Sequence, residues 1–168
     1  MGVDTTAWKV LLLLHILAAI FGFGGVVLNG VYGARAKARG PNGGLAIAEA
    51  NFHVTEKWAA KFIYAVPVLG VGLVVMSDGV FELSQMWVWL SLILFFTAMG
   101  ISHGVMFPTA KKMQSLMRDM ESGPPPQGGP PPQVAELEAL GRQMGILGMT
   151  LNLHLVAILA LMIWKPGL

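Results

Sequence analysis

Apolar residues run through four long stretches of the chain with almost no interruption by charge. A transmembrane helix needs about 20 apolar residues to cross a bilayer core about 30 Å thick. Three charge-free runs meet that length, at residues 10–34, 84–110 and 143–164, and a shorter one covers residues 62–77. The shorter run reaches it when extended to Trp58, because Lys61 can snorkel to the interface. The pattern predicts membrane spans at about residues 9–34, 58–77, 86–108 and 143–164.

These spans predict an all-α fold, a four-transmembrane-helix bundle with antiparallel up-down topology, and one integral membrane domain over residues 1–168. Composition agrees, since 55% of the residues are hydrophobic and 12% are charged, against about 25% charged in soluble domains. The net charge of +2 does not indicate nucleic acid as a partner, because the Lys and Arg residues gather beside the spans. The absence of cysteine excludes disulfides and thiolate metal sites.

The basic residues also predict an orientation in the lipid bilayer. Nine of the eleven Lys and Arg residues flank the first and third connections: Arg35, Lys37, Arg39, Lys57, Lys61, Lys111, Lys112, Arg118 and Arg142. The positive-inside rule places that side in the cytoplasm. Five tryptophans mark the span ends, as amphipathic rings in the headgroup layer do. We therefore expect a bacterial cytoplasmic (inner) membrane protein with its N- and C-termini on the outer side.

The third connection contains two short amphipathic patterns around a segment of helix breakers. Met113, Leu116 and Met117 recur at helical spacing, and so do Val134 and Leu137. The Pro/Gly-rich connection 123–133 cannot be helical. We interpret residues 109–142 as a cytoplasmic helical hairpin with a flexible tip, through which other membrane subunits would dock. The alternative is a solvated linker.

His15 is the first candidate for chemistry, because an ionisable side chain at membrane depth is costly and marks a functional candidate. It shares one helix face with Gly22 and Asn29 at seven-residue spacing. Glycines on that face favour close helix packing and also leave room for a flat cofactor. His154 lies at a similar distance from its outer tryptophan as His15 does. The alternative for both is a neutral imidazole bonded to another helix.

Two imidazoles at similar depth on different helices are what a b-type haem held inside a bundle requires. The pattern therefore predicts that His15 and His154 bind the iron of haem b, and that the haem lies beside Gly22. His103 pairs with His53 as a further candidate. Asn152 is expected to hydrogen bond across the bundle.

Copper is the alternative metal. Met99, His103 and Met106 lie on one helix face, and thioether with imidazole suits Cu(I). A methionine stripe at helical spacing is more often packing. The sequence has no phosphate-binding loop, dinucleotide fingerprint or hydrolase motif, so no enzyme class is indicated.

Three stretches resemble small bacterial membrane families. Trp8-Lys9 with Leu14 to Ala19 and a Gly-rich turn resembles the first span of membrane-bound (HemJ-type) protoporphyrinogen oxidases, copper-resistance D proteins and a four-span integral membrane family of unknown function. Trp89-Leu90 with His103-Gly104 resembles their third span, and residues 152–167 resemble their last. Size and the Lys-Pro ending fit the four-span family best.

The resemblance implies that His15 matches an axial haem ligand of the oxidases. Their second ligand is a lysine early in span three, whereas Ser91 to Leu94 contains none here. The arginine after their first span is also out of register, because Arg35 comes several residues late. Protoporphyrinogen oxidation is therefore not favoured, and His154 takes the place of the second ligand.

These observations lead to three hypotheses. The first is an integral membrane haem-binding protein for electron transfer or haem handling. The second is a structural or accessory subunit of a larger membrane complex. The third is copper or small-solute transport.

Overall fold

The chain folds into four long helices joined in up-down order. A computed structural model describes residues 2–123 and 132–167, without the side chains of residues 41 and 42. The helices are α1 (Thr6–Val27), α2 (Asn29–Arg39), α3 (Pro41–His53), α4 (Ala60–Val75), α5 (Met86–Ile101), α6 (Phe107–Ser122) and α7 (Pro132–Trp164). They join into four continuous helices that are long and apolar enough to cross a membrane: Thr6–Arg39, Gly43–Val75, Met86–Ser122 and Pro132–Trp164. The all-α four-span bundle expected from the sequence is confirmed.

The break between the first two long helices is tighter than the glycine-rich sequence predicts. Residues 40–44 read Gly-Pro-Asn-Gly-Gly, a run of helix breakers that predicts a turn. Only Gly40 leaves the helical conformation, with φ of 66°, and α3 begins at Pro41. Proline suits a first helical position, since its missing N–H would have no partner there. Gly44 then lets α3 approach α2 closely, because a Cβ at that position would collide with the Ala36 carbonyl.

Two long helices each contain one wider π-helical turn, at Val54–Ala59 and at Ser102–Met106. The second turn comes just before Pro108, which has no N–H to offer the preceding turn and crowds its carbonyl. The first contains Thr55, whose hydroxyl lies 2.9 Å from the Asn51 carbonyl and competes for it. The local sequence therefore accounts for both interruptions.

The first two long helices pack antiparallel along one continuous face. Near the chain termini the Trp8 indole N–H donates to the Leu73 carbonyl over 2.9 Å. Farther along, Gly22 meets Ile63 and Gly25 meets Ala59. This end of the bundle, where both termini lie, is called the terminal end below, and the opposite end the loop end.

All four long helices meet in a central cluster. Ala18, Val66 and Phe95 are buried there, and Ile158 packs against them. A second cluster nearer the terminal end contains Trp87. Because these four residues belong to one cluster, they indicate the approximate relative height of the four helices.

The loop end continues beyond the spans as a helical layer. Arg118 of α6 bonds Glu49 of α3 over 2.7 Å, and Lys112 pairs with Glu136 of α7 over 2.6 Å. The helices on both sides of the third connection therefore form the expected hairpin. Residues 124–131 of the Pro/Gly-rich connection, including its expected flexible tip, lie outside the described residues. The last two residues of the connection, Pro132 and Gln133, were expected to be non-helical but begin α7, since proline is tolerated in the first turn of a helix.

Candidate functional site

His15 is held against α4 by a backbone hydrogen bond. Its ring Nδ1 lies 3.0 Å from the Val66 carbonyl oxygen, and the side chain is half-buried. A carbonyl oxygen only accepts, so Nδ1 carries the proton and donates it. Nε2 is then the unprotonated nitrogen, and in the described part of the chain no hydrogen bond reaches it. The contact is the one expected from the alternative, a neutral imidazole bonded to another helix, and it is also the arrangement that metal-binding histidines show, with one nitrogen held and the other available.

The contact surface for the His15 ring on α4 was not predicted from the sequence. Gly70 lies one turn beyond Val66 on the same helix, and a Cβ built there would stand 3.2 Å from His15 Cε1. The missing side chain lets the ring lie flat against the helix. Gly70 is the signal that could have been recognised, because a small residue on a membrane helix lets a neighbour approach closely. The other contact, the Val66 carbonyl, could not be predicted, because every residue has a backbone carbonyl and the sequence does not show which one accepts from His15.

His154 has the same internal arrangement on α7. Its Nδ1 lies 2.8 Å from the Thr150 carbonyl one turn earlier, so that nitrogen donates and Nε2 is left as an acceptor. The side chain is half-buried. Within residues 2–123 and 132–167, no hydrogen bond joins His154 to another helix. The alternative in which this histidine only ties two helices together therefore finds no contact to support it.

The helix register gives His15 and His154 different heights in the bundle. His15 lies three residues toward the terminal end from Ala18, and His154 lies four residues toward the loop end from Ile158. Ala18 and Ile158 belong to one cluster. At about 1.5 Å per residue, the two histidines are offset by roughly 10 Å along the axis. The similar depth expected from the flanking tryptophans therefore differs from the packed arrangement.

The face shared by His15, Gly22 and Asn29 is directed at the second long helix throughout. A Cβ on Gly22 would stand 2.8 Å from Ile63 Cγ1 and 3.0 Å from its backbone nitrogen. Asn29 Oδ1 lies 3.0 Å from the Thr55 hydroxyl. The space beside Gly22, which was a candidate for a cofactor, is thus filled by Ile63, and the glycine serves close helix packing.

Asn152 does not form the expected bond across the bundle. Its side chain is exposed on the bundle surface, and it takes part in no hydrogen bond among the described residues. Its position on α7, two residues before His154, directs it to the other side of the helix, because successive helical residues are about 100° apart.

His103 has both ring nitrogens engaged. Nδ1 donates to the Met99 carbonyl over 3.0 Å, and Nε2 accepts from the Tyr64 hydroxyl over 2.6 Å. Met99 packs against the central cluster, while Met106 ends the second π-helical turn. The sequence prediction did not identify Tyr64. With no free lone pair on His103, the described geometry gives the copper alternative little support.

The remaining titratable groups do not gather into a further metal site. His53 is exposed at the end of α3. Over the described ranges there is no group of three or more His, Cys, Asp or Glu side chains placed to hold a metal ion. Any metal in this bundle would therefore depend on isolated imidazoles, as the iron of a haem does.

Comparison with known proteins identifies the family. The DUF2269 family, described as a predicted integral membrane protein, matches residues 9–166. The chain belongs to the DUF2269 family. No curated protein and no solved structure matches it. This membership confirms the four-span integral membrane family expected from the sequence, and the DUF2269 match extends from the first turn of α1 to beyond the end of α7.

Proposed function

We propose that this DUF2269 protein binds b-type haem in its membrane bundle for electron transfer or haem handling, with His15 as an axial ligand and His154 as the second. Because the packed bundle offsets the two histidines by roughly 10 Å along its axis, the second assignment requires α7 to shift toward the terminal end when haem binds. We place it in the bacterial cytoplasmic membrane with its termini on the outer side. The observation that carries the proposal is the 3.0 Å contact from His15 Nδ1 to the Val66 carbonyl. That contact supports an imidazole whose Nε2 is free to bind iron.

The residues around His15 suit an apolar macrocycle. Ala18 and Val66 belong to the apolar central cluster, and Gly70 lets the imidazole lie close against α4. A backbone carbonyl holding Nδ1–H fixes the tautomer and orients the ring, and it raises the basicity of the ligating nitrogen. When bound, the haem iron would supply one-electron transfer. The chain's own contribution is to orient Nε2 and to keep water from it.

The two ligand assignments rest on different evidence and need separate tests. His15 is fixed by another helix, whereas His154 is fixed only by its own. The protein should be expressed in cells supplied with a haem precursor and purified in detergent, and its absorption recorded oxidised and reduced. We expect a Soret band in the wild type that His15→Ala abolishes. His154→Ala should retain haem and change a low-spin spectrum to a high-spin one.

The matched control is His53→Ala, because His53 is exposed at the loop end. It should leave the spectrum unchanged. A wild type that stays colourless after haem is supplied refutes the proposed function. A Soret band unaffected by His15→Ala refutes the assignment of the first ligand, and an unaltered low-spin spectrum in His154→Ala refutes that of the second.

A further inference from the structure

The fourth long helix is the least enclosed of the four. None of the residues of α7 is buried, whereas α1, α4 and α5 each bury two or more. Ile158 and a few neighbours pack on the bundle, and the opposite face of α7 lies open. A membrane helix can expose such a face to lipid when all its side chains are apolar. This face is not wholly apolar.

The open face contains a heptad stripe. Six exposed residues follow one another at steps of four, three, four, three and four: Gly145, Met149, Asn152, Val156, Leu159 and Ile163. Met149 and Ile163 are each 69% exposed, and Val156 is 62% exposed. Spacing that averages 3.5 residues keeps one seam facing a partner helix in a left-handed coiled coil. The stripe therefore has the pattern of a helix interface.

Asn152 lies in the middle of the stripe and of the charge-free run 143–164. Its amide offers two N–H donors and a carbonyl acceptor, and none is used within the described part of the chain. Other polar residues on the lipid side satisfy themselves: the hydroxyls of Thr97 and Thr150 donate to the carbonyls one turn earlier, over 2.8 and 3.1 Å. An amide left unpaired in hydrocarbon is costly. Asn152 therefore needs a partner from outside the chain.

We infer that the partner is a second copy of this chain, bound through the α7 stripe with Asn152 meeting Asn152. All copies insert in a membrane with the same orientation, so two α7 helices that meet are parallel. A two-fold axis along the membrane normal then brings each stripe residue opposite itself. An amide is both donor and acceptor, so two identical amides satisfy each other across such an axis. A single asparagine at a seam position also fixes register.

The loop-end half of the stripe has room for the approach of another helix. An open groove there is lined by Gly145, Ile146, Met149 and Leu153. Small residues at a membrane helix interface let backbones come close. This surface is separate from the faces of α7 that hold Ile158 and His154, so the inference does not depend on haem.

The natural absence of cysteine allows a direct test by single-cysteine crosslinking in native membranes. Met149→Cys and Val156→Cys place thiols on the stripe. Ile158→Cys lies on the bundle side of the same helix, where it packs against the central cluster, and Val68→Cys is 71% exposed on α4. With a mild oxidant we expect a disulfide band at twice the chain mass for the two stripe variants and none for the two controls. Bands of equal strength at all four positions would refute the inference.

The role of the amide is tested by self-association of the full chain in bilayers, measured by energy transfer between donor- and acceptor-labelled copies. Asn152→Leu should lower the dimerisation constant about 3- to 30-fold, the range for membrane interhelical hydrogen bonds. Thr97→Val should leave it unchanged, and Asn152→Gln should restore much of it. Unchanged association in Asn152→Leu, a wild type that stays monomeric, or crosslinks to a different protein alone would each overturn the inference. Unchanged helical content and elution without aggregate confirm that Asn152→Leu remains folded.

Discussion

The His15 imidazole lies directly against Gly70 on the neighbouring helix. A Cβ built on Gly70 would stand 3.2 Å from Cε1 and 3.6 Å from Nδ1 of the ring. The same ring nitrogen donates to the Val66 carbonyl, one turn earlier on α4. The missing side chain of Gly70 and the backbone acceptor of Val66 therefore together hold the histidine in place, and the first can be altered without changing His15.

Gly70→Val should displace the ring from this position. Adding a branched side chain to a tightly packed site costs about 1–3 kcal/mol, so we expect the free energy of unfolding in detergent to fall by that amount. The ¹⁵N chemical shift of His15 Nδ1 should also move toward that of a nitrogen without a hydrogen bond. Gly100→Val is the control, because nothing lies within 4 Å of a Cβ at that exposed position. Equal losses in both variants would contradict this account.

Gly22 provides a second test of close packing, at the contact between the first two long helices. Gly22→Ala brings a methyl group within 3.0 Å of the Ile63 backbone nitrogen, which cannot move aside as a side-chain tip does. We expect a loss of about 1–3 kcal/mol in stability. Gly24→Ala, two residues away and open on that side, should be neutral or stabilise by up to about 1 kcal/mol. The thermal stability of both variants should be measured. A Gly22→Ala variant as stable as the wild type would refute the contact.

The spans were predictable because charge is excluded from hydrocarbon. The charge-free runs fix four helices, and the seven-residue spacing of His15, Gly22 and Asn29 correctly predicts a common face toward a close neighbour. The sharp turn at Gly40 differs from the broader loop that its glycine-rich sequence suggests, because proline and glycine are tolerated in a first helical turn.

The details of the candidate site were not predictable for a different reason. The sequence shows which residue types are present but not the relative heights of packed helices. Counting residues from the flanking tryptophans put His15 and His154 at a similar depth in the membrane. The packing of Ala18 and Ile158 in the central cluster shows that they lie at different heights along the bundle axis. The acceptor for His15 is the backbone of Val66, which carries no sequence signal. Asn152 was expected to bond inside the bundle, and helical phase alone could not decide which face of α7 packs.

The orientation in the membrane can be tested with matched serine-to-cysteine changes. Ser84 lies in the connection that has no Lys or Arg, and Ser122 ends α6 beside the basic third connection; both are exposed. From the positive-inside rule, we expect an impermeant thiol reagent added to intact cells to label Ser84→Cys and not Ser122→Cys. Permeabilised cells should show labelling of both. Labelling of Ser122→Cys alone in intact cells would mean that the chain has the opposite orientation.

The contact between Asn29 and Thr55 should contribute measurably to stability. The Thr55 hydroxyl lies 3.0 Å from Asn29 Oδ1 and 2.9 Å from the Asn51 carbonyl, so its single proton is shared between two acceptors, and Thr55 is buried. Hydrogen bonds between membrane helices average about 0.6 kcal/mol in double-mutant cycles, with maxima near 1.7. A cycle of Asn29→Leu, Thr55→Val and the double variant should therefore give a coupling energy in that range. A coupling energy near zero would show that the two side chains contribute independently.

Lys165 closes the terminal end of the bundle through aromatic contacts. Its ammonium lies 4.4 Å from the centroid of Phe81 and 5.8 Å from that of Trp87, and its side chain is half-buried. A partly desolvated cation over aromatic faces contributes about 0.5–2 kcal/mol, so Lys165→Met, which keeps most of the apolar stem, should reduce stability by that amount. Lys61 lies over exposed Trp58 at 5.8 Å, where water screens the charge, so Lys61→Met should cost less. Thermal unfolding of the two variants should be followed in parallel experiments by Trp fluorescence. A larger loss for Lys61→Met would show that the end of α7 does not depend on this contact.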